Sequence, residues 1–219
     1  MITVAIDGPS GAGKSTIADV VAQRLGFYHL NTGELYRAIA YKCVKNNVDY
    51  KDEEAVCKAN ENSNVDIKFN NGLQQTYIDG EMVSDKLHTA EMGVASSFVA
   101  KYLKVREKVR DIQRKIASEH NIIIEGRDIG SEILPNATYK IYLTASVEER
   151  ARRRVEQLME HGEEVSYEET LNALKVRDDN DMNRKISPLV IAEGAVVVDS
   201  TNITFEETVQ KIIDICKGE

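Results

Sequence analysis

The apolar run Ile2-Thr3-Val4-Ala5-Ile6 leads straight into Gly8-Pro9-Ser10-Gly11-Ala12-Gly13-Lys14-Ser15-Thr16. Behind it, Ile17, Val20, Val21 and Leu25 share one face of a helix. G-x-x-x-x-G-K-S between a buried strand and a helix is the context a phosphate-binding P-loop requires. The glycines let backbone N–H groups converge on phosphate oxygens, and the new helix presents its positive end to the same anion. In that arrangement Lys14 reaches the β- and γ-phosphates of a nucleotide, and the Ser15 hydroxyl helps hold Mg²⁺. A bare glycine-rich turn would need neither flanking element.

The rest of the chain fits an α/β fold of the P-loop NTPase class. Strand-like runs recur at Ile2–Ile6, Phe27–Leu30, Ile122–Ile124, Tyr139–Leu143 and Ala195–Val198, with helical patterns between them. That alternation predicts a five-stranded parallel sheet flanked by helices. Capping boxes are expected at Ser146 with Glu149, Ser166 with Glu169 and Thr204 with Glu207. One stretch breaks the alternation. Val65–Phe69, Leu73–Ile78 and Glu81–Val83 are separated by Asn70-Asn71-Gly72 and Asp79-Gly80, which are hairpin turn signals. Residues 63–90 therefore read as an antiparallel meander inserted in a single unit spanning 1–219. A charged interruption, His161-Gly162-Glu163-Glu164, reads as the tip of a short lid over 150–166.

Composition narrows the partners. The net charge is −8, which gives no bulk footprint for nucleic acid, so an anionic substrate must be held by local arginines and lysines. Three widely spaced cysteines, Cys43, Cys57 and Cys216, suggest reduced thiols in a cytoplasmic protein rather than a disulfide framework. No Cys/His cluster has metal-ligand spacing. The first strand begins at Ile2, so no signal peptide is expected, and no apolar run approaches a membrane span.

Further residues stand where a second phosphate could bind. Thr32, after the second strand, can cap the following helix and offer a hydroxyl to an anion, with Arg37 one turn inside. A simple N-cap beside a surface arginine is the competing explanation. Arg127 and Asp128 follow the third core strand, at the end that lines the ligand crevice in open parallel sheets. A buried ion pair shaping the turn would look the same. Arg150, Arg153 and Arg154 fall within one helical arc, facing an anion or forming a solvated face with Glu156, Glu160 and Glu164. Arg177, Asp181 and Arg184 follow at i, i+4 and i+7. That face suits a ribose plus a phosphate, or an ordinary salt-bridge ladder. The chain has no D-x-x-G and no N-K-x-D, so the usual GTPase switch and guanine-reading residues are missing.

Taken together, GPSGAGKST, NTGELYRA, EGRDIG, LTASVEERARRR and RDDNDMNRKISPL resemble the bacterial cytidylate kinases, of the nucleoside-monophosphate kinase family, from residue 2 to about 215. The resemblance implies transfer of the γ-phosphoryl of ATP to CMP or dCMP, with Mg²⁺. It implies that Thr32, Arg37, Arg127 and Arg184 hold the acceptor phosphate, that Ser97, Arg106 and Asp128 read cytosine, and that Arg177 and Asp181 lie near the sugar. Gly8 to Thr16 and Arg150 would bind ATP. Lys14, Arg127, Arg184, Arg153 and Arg154 would stabilise the moving charge, with no general base of the serine-protease kind. The chain departs from the family at Asn31, where Asp is usual, at Ser187, where Ala is common, and in Ser131–Pro135. The expected state is a monomer without nucleic-acid or membrane partners. The competing assignment is a P-loop kinase for another small nucleotide.

Overall fold

A computed structural model describes every residue except Asn71, His161, Glu163 and Glu219. In chain order it shows β1 (Thr3–Asp7), α1 (Lys14–Leu25), β2 (Tyr28–Asn31), α2 (Thr32–Lys45), α3 (Glu53–Asn60), β3 (Val65–Asn70), β4 (Leu73–Ile78), β5 (Glu81–Met82), α4 (Ala90–Val99), α5 (Leu103–Glu119), β6 (Ile122–Gly126), β7 (Tyr139–Thr144), α6 (Val147–Glu160), α7 (Tyr167–Asn183), β8 (Val196–Asp199) and α8 (Phe205–Lys217). The parallel sheet has the order β2-β6-β1-β7-β8. Each expected strand is present, with bounds within two residues of those expected.

The chain divides into two compact units, one of Met1 with Phe27–Ile122, the other of Ile2–Gly26 with Ile123–Glu219. In the second unit, β1 pairs with β7 in the register Val4 to Tyr139 through Asp7 to Tyr142, and β7 pairs with β8 from Ile141 opposite Val196. Val4, Ala5 and Ile6 are fully buried, as a strand covered on both faces requires. α1 buries Ile17, Ala18, Val21 and Ala22. The amphipathic α8 buries Val209, Ile212 and Ile213 and opens on a complete capping box between Thr204 and Glu207. At Ser146 and Ser166 the serine hydroxyl accepts from the backbone N–H three residues on. The Glu149 carboxylate expected to close the first box instead accepts from Arg152 and Arg153, because a charged donor binds it more strongly than a backbone amide.

Gly8 starts the loop after β1 with a positive φ of 152°, and a Cβ there would stand 1.9 Å from the Leu143 carbonyl oxygen. Only glycine lets the chain pass β7 this closely. β6 is β1's neighbour in the sheet, and the loops leaving the carboxyl ends of these two strands run in opposite directions, toward β2 and toward β7. That is the topological switch point where open α/β sheets bind ligands.

In the first unit, α2 forms the spine of the core. Leu35, Ala38, Ile39 and Cys43 on α2 pack with Val56, Val65, Ile78, Leu87, Ala95, Val99 and Val105. The meander is present: β3 pairs antiparallel with β4 from Val65 opposite Ile78 to Asn70 opposite Leu73, and β4 with β5. The three cysteines are free. Among the described residues no helix is long and apolar enough to cross a membrane. The lid tip expected around His161 and Glu163 lies outside the described residues.

Candidate functional site

The P-loop runs from the end of β1 to the first turn of α1. Gly13 takes a left-handed conformation at φ 82° as the N-cap of α1, so the helix starts without a side-chain cap and its first N–H groups remain available to an anion. Lys14 is buried, and its ammonium donates to the Pro9 carbonyl at 2.7 Å. Burial pushes the Lys14 ammonium down to about 7, and the nearby Arg127 guanidinium pushes the same way. A bound phosphate would oppose that burial and favour the charged ammonium. The Ser15 hydroxyl donates to the Glu125 carboxylate at the end of β6. Hydroxyl and carboxylate together are hard oxygen donors of the kind Mg²⁺ takes alongside water and phosphate, so the residues present fit that ion.

Arg127 and Asp128 occupy the turn after β6. Arg127 donates its Nε–H to Asp181 at 2.8 Å. Burial pushes the Asp181 carboxyl up, but Arg127, Arg177 and Arg184 together outweigh it and hold the carboxyl below its usual range. Arg184 approaches Asp128 at 3.5 Å and also donates to the Ser187 carbonyl. Lys14, Arg127, Asp128, Asp181 and Arg184 thus form one connected cluster of charges, and Arg177, although exposed, is close enough to act on both Lys14 and Asp181.

The helical face expected for Arg177, Asp181 and Arg184 needs one correction. α7 ends at Asn183, and Arg184 is an extended residue just beyond it. The chain reverses there: the Leu189 N–H reaches back to the Asp181 carbonyl at 2.8 Å, and Ser187 takes a left-handed φ of 49°. Pro188 would disfavour helix at Ser187 in any case. Arg177 and Asp181 still share a face of α7, and Arg184 joins them through this turn rather than through helical spacing.

Arg150, Arg153 and Arg154 of α6 separate into three environments. Arg150 is buried, donating to the Ser10 carbonyl of the P-loop at 2.8 Å and pairing with Asp178 at 2.7 Å. Arg153 bonds Glu149 and both the hydroxyl and carbonyl of Ser200. Arg154 is exposed and donates to Gln157. The three span about 100° of arc on α6, wide enough for each to meet different partners.

In the first unit, Asn31 rather than Thr32 occupies the N-cap of α2 and makes no side-chain cap bond. Thr32 is the first helical residue, and its side chain is buried. The Arg37 guanidinium folds back so that a Cβ on Gly33 would lie 3.4 Å from its Nη1. Ser97 is exposed on α4, its hydroxyl donating to the Val94 carbonyl. Arg106 is buried at the start of α5, donating to the Ala100 carbonyl with its guanidinium 5.9 Å from the Tyr36 ring centre.

Three carboxylates that matter here escaped the sequence reading. Asp7, the last residue of β1, accepts the N–H groups of Ile129 and Gly130 at 2.8 and 2.7 Å and so ties the turn carrying Arg127 and Asp128 to the root of the P-loop. Burial raises its carboxyl to about 6, against those two bonds. Glu125 meets Ser15, and Asp178 meets Arg150. Asp7 and Glu125 carried a signal, an acid closing an otherwise apolar strand. Asp178 sits in an acidic run and carried none.

The family model for cytidylate kinase matches residues 4–218. The chain belongs to the cytidylate kinase family. The cytidylate kinase of Caldicellulosiruptor bescii is 42% identical over 214 residues, covering 98% of this chain and 95% of that one. That of Alkaliphilus oremlandii is 44% identical over 218 residues, covering 99% and 98%. Among solved structures, an uncharacterised protein from Eubacterium ventriosum aligns over the full length of both chains with a TM-score of 0.53 at 13% identity, a likeness of fold alone.

Proposed function

We propose that this cytidylate kinase family member transfers the γ-phosphoryl group of ATP to CMP or dCMP, giving the diphosphate. The observation that carries the reading is the cluster of Lys14, Arg127, Asp128, Asp181 and Arg184 at the carboxyl ends of β1 and β6, beside a P-loop. The P-loop backbone from Gly8 to Thr16 and Lys14 would hold the ATP phosphates. Arg127 and Arg184, with Thr32 and Arg37, would hold the acceptor phosphate, where guanidinium forks match phosphate oxygens. Arg177 and Asp181 would serve the sugar. Ser97, Arg106 and Asp128 would read the base, since an ionised carboxylate accepts from the cytosine amino group and repels the carbonyl of uracil.

Phosphoryl transfer asks for in-line placement and neutralisation of charge rather than covalent help. Lys14 and the arginines supply fixed positive charge around the moving group, and Arg153 and Arg154 would add theirs from α6. Arg150 holds the P-loop through Ser10 and would lie against ATP. Ser15 and Glu125 would hold Mg²⁺, which, when bound, neutralises charge on the phosphate oxygens. Free thiols support a reducing, cytoplasmic setting, and we propose a monomer without nucleic-acid partners. A coupled assay across the nucleoside monophosphates with ATP and Mg²⁺ tests the reading. CMP or dCMP should give the highest kcat/KM. A preference for another monophosphate would instead support a kinase for a different small nucleotide.

A further inference from the structure

Within the first unit, the meander does more than extend the core. The side-chain amide of Gln74 on β4 lies against the backbone of Asn31. The Asn31 N–H donates to Gln74 Oε1 at 2.7 Å, and Gln74 Nε2 approaches the Asn31 carbonyl oxygen at 3.4 Å. Gln74 thereby pairs with the backbone of the N-cap residue as a neighbouring strand would. One turn on, the buried Glu34 carboxylate accepts the Thr76 hydroxyl at 2.8 Å, with Gln74 Nε2 at 3.4 Å and His88 Nε2 at 3.3 Å. Gln74 and Thr76 are themselves joined, Nε2 to Oγ1 at 3.0 Å, and the Thr76 N–H is held by Ser84 at 2.8 Å. The first turn of α2 is therefore gripped on both sides of Thr32, at Asn31 and at Glu34.

We infer that Gln74 and Glu34 are positioning residues for acceptor-phosphate binding, an inference that rests on the function proposed above. Thr32 and Arg37 can meet a phosphate only if the first turn of α2 has a fixed position and tilt. The sequence does not provide this locally, because the N-cap side chain makes no bond to the helix. The meander provides it, and a shift of that turn by a fraction of an ångström would lengthen charge-assisted bonds to the phosphate. Glu34 is buried, so its carboxylate must keep its donors, and that requirement locks β4 to α2 more tightly than an apolar contact would.

The inference separates from a merely structural role by which kinetic constant moves. Gln74→Leu keeps the volume and removes both the donor and the acceptor. The KM for CMP should rise about three- to tenfold, the effect of losing one or two hydrogen bonds. The KM for UMP should rise by the same factor, because the phosphate is common to both and the base-reading residues are untouched. The KM for ATP should stay within about twofold. Hydrogen exchange at the Asn31 N–H should quicken in the nucleotide-free protein. Thr76→Val, nearly isosteric, should act in the same direction and serves if the first variant does not fold. An unchanged KM for CMP, an equal rise for ATP, or a loss of stability alone would overturn the inference. A wild-type protein that phosphorylates no cytidylate would overturn the proposed function and this inference with it, whereas an active wild type with indifferent variants would overturn only the latter.

Discussion

Arg127 donates its Nε–H to Asp181 at 2.8 Å, joining the turn after β6 to the last turns of α7. Both side chains are largely shielded from water, so the carboxylate neutralises a guanidinium that would otherwise bear fully on Lys14. The state of Lys14 is thus set by burial and by a balance of charges from four residues of one unit.

That balance predicts a proton uptake. With Lys14 held down to about 7, much of the free protein carries it neutral at pH 8. A bound triphosphate would favour the charged form and raise its pKa. Binding of a non-hydrolysable ATP analogue at pH 8 should therefore take up a fraction of a proton. At pH 6, where Lys14 is already charged, uptake should vanish. Calorimetry in two buffers of different ionisation enthalpy measures this, and Lys14→Met should abolish the difference. Equal uptake at both pH values would refute the placement.

Lys14→Ala should lower kcat by about 10³-fold or more, by analogy with the loss of other charges at a transferring phosphoryl group. The variant should keep the wild-type circular dichroism spectrum. Retention of more than about a tenth of wild-type kcat would remove Lys14 from the role assigned to it.

Arg184→Ala should weaken CMP far more than ATP. A charge-assisted bond to phosphate contributes roughly 1.5–3 kcal/mol, which corresponds to about ten- to a hundredfold in CMP affinity. Separate titrations with CMP and with an ATP analogue decide it. An equal loss for both ligands would place Arg184 elsewhere.

Asp128→Asn keeps the size of the side chain, removes the charge and adds a donor. The ratio of kcat/KM for CMP over UMP should collapse, because sites built on polar groups reject the wrong partner by factors of up to about 10⁴. If both substrates slow alike and the ratio holds, Asp128 is only a partner of Arg184.

Asp7 makes the protein's stability depend on pH in a defined window. Its carboxyl ionises near 3.8 when exposed and at about 6 when folded. Below about pH 4 it is neutral in both states and costs nothing. From about pH 4 to 6 the unfolded chain releases this proton first, so wild type should lose stability relative to Asp7→Asn as pH rises, by about 3 kcal/mol in all. Above that window the difference should be flat. Denaturant titrations of both proteins between pH 4 and 8 give the curve, and a difference that stays constant throughout would contradict it.

The P-loop, the strand positions and the meander were legible because they rest on local rules: strand period, turn residues and a glycine-rich spacing. Arg127 and Asp128 stood out by their place at a strand end, and Arg184 by a helical spacing that the structure replaces with a turn. What the chain could not reveal locally was pairing at a distance. Asp178 looks like its acidic neighbours until Arg150 reaches it from another helix. Gln74 reads as a polar strand residue until its amide is seen on Asn31. The turn at Ser187 was missed because the i, i+4, i+7 spacing continued past the point where the Leu189 N–H pulls the chain back.

The close passage of Gly8 under the Leu143 carbonyl has a thermodynamic consequence. It sets the first residue of the phosphate loop directly against the central sheet before any nucleotide arrives. Lys14 on Pro9 and Arg150 on Ser10 hold the next two residues by hydrogen bonds to their carbonyls. Ordering a free loop of this length would cost about 1–2 kcal/mol per residue in backbone entropy. Here that ordering is part of folding, so the free energy of phosphate contact goes into affinity rather than into shaping the loop.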